Sequence, residues 1–119
     1  MRNGRFFRKW WVLSEFAFGL WSERQKEGEL WHGLPVLADF DRFRRDLTIL
    51  AGFARPVWNA RGELRVEAES LAWGSMSEER FEKLYSATIN AILSKILPKA
   101  GLTEERLRQT VDQLVGEFA

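Results

Sequence analysis

Apolar residues recur every three or four positions in four segments of the chain, which is the period of an amphipathic helix. The first segment runs from Arg5 to Trp21, and a second apolar row lies beside its core stripe. Because apolar groups then cover most of the circumference, we expect this helix to be central or buried in a dimer. The core stripe consists of Phe6, Trp10, Leu13, Ala17 and Leu20, and the second row of Phe7, Trp11, Phe18 and Trp21.

The second helical segment follows two aspartates and ends near a glycine. Asp39 or Asp41 is suited to cap its first turn, since a short acidic side chain accepts hydrogen bonds from free backbone N–H groups. The apolar period then runs to about Ala51, and Gly52 is typical of a residue that follows a helix. The positions expected to face inward are Phe40, Phe43, Leu47 and Leu50.

Two further helices are predicted in the second half of the chain. Ser75 with Glu78 forms a capping box, and the apolar period continues from there up to Pro98. Thr103 is suited to cap the last helix, whose first turn is acidic, as the helix dipole favours. The expected buried side of this helix consists of Leu107, Val111, Leu114, Val115 and Phe118.

A hairpin is predicted between the second and third helices. Residues 53–58 and 63–70 read as strands, and the turn-forming sequence Asn59-Ala60-Arg61-Gly62 joins them. Leu64 and Val66 alternate with charged residues, so we expect the second strand to be half-buried.

Residues 22–35 contain glycines and a proline among charged residues, which predicts a mobile loop. This loop carries Trp31 and the single histidine, His32. The expected fold is therefore one compact α+β domain over residues 1–119, with four helices and one β-hairpin.

Composition narrows the chemistry that the chain can perform. It has 119 residues, a net charge of +1 and no cysteine, which excludes disulfides, thiolate metal sites and cysteine nucleophiles. No apolar run approaches the roughly 18 residues of a membrane helix, so we expect a cytoplasmic protein without membrane contact. Cations outnumber acids in residues 1–65, and acids outnumber cations in residues 66–119. Any attraction for a polyanion is therefore expected from the first half.

Few residues are suited to catalysis. His32 has no partner motif, and a lone histidine is far more often a packing or surface residue than a general base. Asp39, Asp41 and Asp46 resemble the acidic clusters that bind Mg²⁺ in nucleases, but capping and pairing with nearby arginines explain them more simply. We therefore predict no enzyme, no catalytic residue, no cofactor and no bound metal. A Mg²⁺-dependent nuclease is the least favoured alternative, and it predicts cleavage that is lost on Asp41→Asn.

The first half of the chain favours a binding function. Cations alternate with aromatic rings at the start of the first helix, and these are the two ingredients of single-strand nucleic-acid recognition. The alternative is that the rings form the core and the arginine stems lie around them. Phe7 and Trp11, on the second row, are the better candidates for exposed rings. The predicted binding residues are Arg2, Arg5, Phe7, Arg8, Lys9, Trp11, Arg42, Arg44 and Arg45.

Three stretches of the sequence together resemble a known family. They are RNGRFFRKWW at residues 2–11, FRRDLTILAGF at residues 43–53 and SLAWGSMSEERFEKLYS at residues 70–86. Their order and spacing are similar to those of a phage and prophage family classified only as a domain of unknown function. Its members are often encoded near recombination genes, and the opening helix is similar to that of the lambda recombination mediator NinB. The resemblance implies a phage protein that works beside nucleic-acid-handling machinery.

The chain departs from the pattern of that family at its start. Family members carry a further segment, expected to form strands, ahead of the motif that here begins beside Met1. A protein without that segment is expected to expose sheet edge or apolar surface and to cover it with a partner. A homodimer is one form that this covering would take.

The sequence thus predicts a non-enzymatic phage accessory protein that binds nucleic acid, or a host nucleoprotein complex, in the host cytoplasm. This prediction requires the cations of the first helix and those of the Arg42 stretch to converge into one electropositive surface. The alternative is a phage inhibitor of a host defence complex, of the anti-CRISPR kind, that acts by protein–protein binding. The same arginines would then meet acidic side chains.

Overall fold

The computed structural model describes residues 4–117 of the chain. In this range four α-helices are accompanied by two separate antiparallel hairpins of two strands each. The elements in chain order are α1 (Gly4–Ser22), β1 (Leu30–Trp31), β2 (Leu34–Pro35), α2 (Phe40–Leu50), β3 (Ala54–Trp58), β4 (Leu64–Ala68), a 3₁₀ turn (Trp73–Ser75), α3 (Glu78–Ala91), a π-helical turn (Ile92–Ile96) and α4 (Glu104–Glu117).

The fold is α+β as predicted, but the expectation of one β-hairpin is wrong. The predicted loop at residues 22–35 contains a second hairpin, in which β1 pairs antiparallel with β2. Its turn residues His32 and Gly33 both have left-handed backbone, with φ of 50° and 78°. A two-residue type I′ turn requires this conformation, and Asn-Gly or Asp-Gly is its usual sequence. His-Gly is a weaker turn signal, and strands of two residues are too short to show an alternating pattern.

The predicted hairpin forms between β3 and β4. The register places Trp58 opposite Leu64 and Pro56 opposite Val66. The alternating pattern predicts a half-buried second strand, but Leu64 and Val66 are 60% and 54% exposed. The reason is the small size of the sheet, which has two strands within residues 4–117. Burial increases only toward Ala68, at the end where β4 packs beside α2.

The helix starts agree with the sequence at two points and differ at a third. The carboxylate of Asp39 caps α2 by accepting a backbone hydrogen bond from its first turn at 2.9 Å. Thr103 caps α4 in the same way at 3.2 Å. The residue that caps α3 is Ser77, whereas Ser75 lies in the 3₁₀ turn ahead of this helix.

The helices enclose one core, and α1 contacts both α2 and α4. The predicted core stripe of α1 is buried along its length except at Leu20, which is partly buried. The indole N–H of Trp10 donates to the hydroxyl of Thr88 on α3 at 3.1 Å, so this buried polar pair is satisfied. Phe118, which the sequence assigns to the core, lies outside the described residues. Each helix of the described range is too short or too polar to span a membrane.

Candidate functional site

A cleft of about 560 Å³ opens between α1, α2 and the chain that runs from β4 to the 3₁₀ turn. Residues 66–71 form its outer wall, and Trp73 of the 3₁₀ turn also lines it. Two separate helices bring predicted binding residues to this one cleft. These residues are Phe7 and Trp11 from α1, and Arg42, Arg44 and Arg45 from α2.

The aromatic residues of the cleft form a packed cluster. The rings of Phe7 and Trp11 lie 5.3 Å apart, and Trp73 meets Phe7 edge-on at 5.7 Å. Trp11 meets Phe40 of α2 edge-on at 5.2 Å, and the guanidinium group of Arg44 lies 5.5 Å from the centre of the Trp11 ring. The sequence favours Phe7 and Trp11 as exposed rings, whereas the structure shows both half-buried, with part of each ring open to the cleft.

Each arginine of the cleft pairs with an aspartate of its own helix. Arg44 and Arg45 bind the carboxylate oxygens of Asp41 at 2.5 and 2.8 Å. Arg42 lies 3.4 Å from a carboxylate oxygen of Asp46. The hydrogen bond from Arg44, with the positive charges of Arg45 and Arg44 in support, holds the pKa of Asp41 below its ordinary value.

The acids near the cleft also have structural partners. Asp39 caps α2, whereas Asp41 and Asp46 pair with arginines. Each of the three aspartates of the nuclease alternative therefore has a structural role of its own. Glu67 and Glu69, on the outer wall, each pair with an arginine outside the cleft. Within residues 4–117 there is no group of three or more histidine or acidic side chains placed to hold a metal ion. Each arginine and each carboxylate that lines the cleft thus has a partner of opposite charge, so the charges of the cleft are balanced.

Two cations of α1 lie away from the cleft. Arg5 binds Glu78 of α3 at 2.8 Å, and Lys9 binds Asp112 of α4 at 3.3 Å. In a helix with about 3.6 residues per turn, these two positions lie roughly 160 to 200° around the axis from Phe7. They are therefore on the opposite side of α1 from the aromatic wall.

The remaining predicted cations complete this division. Arg8 lies on a third side of α1, where it lines an apolar groove with Trp11 and with Leu114 and Val115 of α4. Arg2 lies outside the described residues. The structure thus brings the α2 arginines to the cleft with Phe7 and Trp11, while the described cations of α1 lie on other sides of that helix. The single electropositive surface that the sequence-based prediction requires is therefore not formed by residues 4–117.

The sequence does not predict one residue of the cleft and several exposed apolar residues. Trp73 lines the cleft from a 3₁₀ turn, an element too short to give a periodic signal. Trp58, at the end of β3, is 75% exposed. Hairpin β1–β2 and the residues after it are also apolar and exposed, although the sequence analysis singles out only Trp31 and His32 in this segment. These exposed residues are Leu30, Trp31, Leu34, Val36 and Leu37.

The chain matches a family of proteins of unknown function, DUF1367, over residues 27–118. It belongs to this family. The DUF1367 match includes both hairpins and the arginines of the cleft, whereas α1 lies outside it. Two of the three resembling stretches, at 43–53 and 70–86, fall inside the match, and the stretch at 2–11 does not. No curated protein and no solved structure matches the chain. The DUF1367 description names no activity or source, so phage origin and similarity to NinB stay predictions.

Proposed function

We propose that this protein is a non-enzymatic phage accessory protein that binds nucleic acid in the host cytoplasm, with the cleft as its binding surface. The observation that carries the proposal is the presence of aromatic rings and guanidinium groups in a single cleft. Phe7 and Trp11 supply rings from α1, while Arg42 and Arg45 supply cations from α2. Bases stack on such rings, and phosphates accept charge-assisted hydrogen bonds from guanidinium groups. The resemblance of residues 43–53 and 70–86 to phage proteins supports the biological setting.

The ion pairs of Arg42 and Arg45 are compatible with phosphate binding because they are exposed, whereas the side chain of Arg44 is only 26% exposed. The side chains of Arg42 and Arg45 are 78% and 61% exposed. An exposed ion pair contributes about 0 to 1 kcal/mol to stability, so a phosphate can replace the aspartate at little cost. The same pairing keeps the net charge of the cleft near zero, so we expect the binding constant to depend only weakly on salt concentration. Contact with two phosphates of a single strand would give a slope of about −1.4 for log K against log salt.

Fluorescence anisotropy with labelled single-stranded and double-stranded oligonucleotides tests this proposal at about 50 and about 200 mM salt. We expect binding at the lower salt, and we expect Arg42→Gln/Arg45→Gln to weaken it by about tenfold. The matched control is Arg5→Gln/Lys9→Gln, which removes the same charge from the opposite side of α1 and should change affinity less than about twofold. Absence of binding at low salt, or equal losses in the two double variants, would contradict the cleft as the binding surface.

A separate observation favours a second candidate function. The apolar residues of hairpin β1–β2 follow one another closely in sequence, and Leu37 beside them is 79% exposed. Single exposed apolar residues are ordinary, but a group of them on one hairpin is typical of a protein interaction site. This group supports the alternative of an inhibitor that binds a host defence complex, of the anti-CRISPR kind.

Capture from a nuclease-treated lysate of host bacteria separates the two functions. A directly bound protein partner should survive the nuclease and should be lost from Leu34→Ser/Leu37→Ser, which alters exposed positions only. The same partner should remain with Arg42→Gln/Arg45→Gln. A partner that the nuclease releases is held through nucleic acid, and that result would support the first function.

A further inference from the structure

Hairpin β3–β4 exposes a large aromatic ring that packing does not explain. The side chain of Trp58 is 75% exposed, although indoles are among the side chains that gain most from burial. Its position at the end of β3 places it beside the turn of the hairpin. An exposed ring of this kind is available to a ligand.

The strand register connects Trp58 to the cleft. Residues opposite each other in an antiparallel pair lie on the same face of the sheet. Trp58 lies opposite Leu64 and Pro56 lies opposite Val66, so these four side chains share one face. Val66 also lines the cleft. The face is therefore an apolar extension of the cleft wall, and Trp58 lies at its outer end.

The length of this extension suits a nucleic-acid strand. Leu64 is two residues from Val66, which is about 7 Å along a strand, and Trp58 lies directly across from Leu64. Successive stacked nucleotides are about 3.4 Å apart, so this distance corresponds to about two of them. A strand whose phosphates contact the cleft can therefore place a nearby base on Trp58.

The charges of the hairpin complement a polyanion. Arg61 and Arg65 share a single carboxylate, that of Glu63, at 3.8 and 3.2 Å. Arg61 is 85% exposed, so it can turn to a phosphate while Arg65 keeps Glu63 paired. The other hairpin with an exposed tryptophan, at residues 30–35, carries no lysine, arginine, aspartate or glutamate, whereas residues 54–68 hold three arginines against two glutamates.

We propose that Trp58 is a stacking platform for a base of single-stranded nucleic acid, with Arg61 and the arginines of the cleft on the adjacent phosphates. This inference rests on the proposed function and narrows its ligand to strands with unpaired bases, because paired bases in a duplex do not present their faces. Trp31 on the other hairpin is the matched control, since it is 63% exposed but one face of its ring is covered by the ring of His32, which stacks on it with centroids 4.0 Å apart.

The test uses fluorescence anisotropy with a labelled oligothymidylate of about twelve nucleotides, an oligouridylate of the same length, and an abasic strand of the same length. We expect Trp58→Ala to weaken the binding of both base-bearing strands by about fivefold or more. Trp58→Phe should retain part of the affinity that Trp58→Ala loses. Trp31→Ala should change the affinity less than about twofold. On the abasic strand, the effect of Trp58→Ala should disappear. Circular dichroism checks that each variant is folded. We expect all three to fold, because both tryptophans are exposed.

The possible results separate this inference from the proposed function. If the unaltered protein binds the base-bearing strands and Trp58→Ala binds them equally well, the inference is overturned and the proposed function stands. An equal loss on the abasic strand also overturns the inference, since stacking then contributes nothing. If the unaltered protein binds none of the strands, the proposed function fails and the inference fails with it.

Discussion

Two buried hydroxyl groups in the core differ in whether they have a hydrogen-bond partner. The hydroxyl of Thr88 accepts from the indole of Trp10 at 3.1 Å and donates to a backbone carbonyl of α3 at 2.7 Å. The hydroxyl of Tyr85 is buried and has no partner among the described residues, although cations of Lys9 and Arg108 lie near its ring. An unpaired buried hydroxyl is desolvated without compensation. We therefore infer that the ring of Tyr85 stabilises the core and that its hydroxyl does not.

Replacement of Tyr85 by phenylalanine tests this inference. At neutral pH we expect Tyr85→Phe to leave the free energy of unfolding unchanged or to raise it by about 1 kcal/mol. Burial raises the pKa of Tyr85 above its ordinary value of 10.0, so above pH 10 the unfolded chain loses this proton while the folded chain keeps it. The stability of the unaltered protein should therefore fall as the pH rises beyond 10, and Tyr85→Phe should remove that contribution.

Urea denaturation at pH 7 and at high pH measures both effects. The matched control is Thr88→Val, which leaves the N–H of Trp10 unpaired and should cost about 1 to 3 kcal/mol at pH 7. A loss of more than about 1 kcal/mol in Tyr85→Phe at pH 7 would show that the hydroxyl has a stabilising partner.

At the scale of single elements, the start of α3 shows where local pattern and tertiary packing disagree. Ser75 and Glu78 have the spacing of a capping box, but α3 begins two residues later, with Ser77 as its cap. Met76, just before the cap, and Phe81, in the first turns of α3, are both buried in the core. This is the arrangement of a hydrophobic staple, and it fixes the entry of the chain into the helix. Burial of Met76 therefore favours Ser77 as the cap over Ser75, the cap that the local pattern predicts.

Replacement of each serine by alanine measures this choice of cap. Ser77→Ala removes the acceptor for a backbone N–H of α3, so it should lower the free energy of unfolding by about 0.5 to 2 kcal/mol. Ser75→Ala is the matched control, since within residues 4–117 its hydroxyl donates a hydrogen bond only to the carbonyl of Ala72, at 3.4 Å, and it should cost less than about 0.5 kcal/mol. Thermal denaturation of the two variants gives the comparison. The reverse order of stability would contradict Ser77 as the cap.

The whole molecule shows why the sequence predicts part of the candidate site and not the rest. Helical period placed Phe7 and Trp11 on one row of α1, and that row faces α2, which brings Arg42 into the same cleft. The partner of a cation is harder to predict, because Lys9 pairs with an acid near the other end of the chain. Trp58 lies on a sheet face that no other described element covers, and the packing of those elements decides this. Contacts between distant segments decide both the partner of a cation and the exposure of Trp58. Local sequence patterns do not encode such contacts.

Removal of the carboxylates that pair with the cleft arginines provides a test at this scale. Asp41→Asn/Asp46→Asn frees three arginines and raises the net charge by two. Because a phosphate then no longer competes with these carboxylates for the exposed Arg42 and Arg45, we expect single-stranded oligonucleotides to bind about threefold to tenfold more tightly at about 50 mM salt, with a steeper dependence of the binding constant on salt. The matched control is Glu78→Gln/Asp112→Asn, which raises the net charge equally but frees cations on the opposite side of α1. Equal tightening in both double variants would show that net charge, and not the cleft, governs binding.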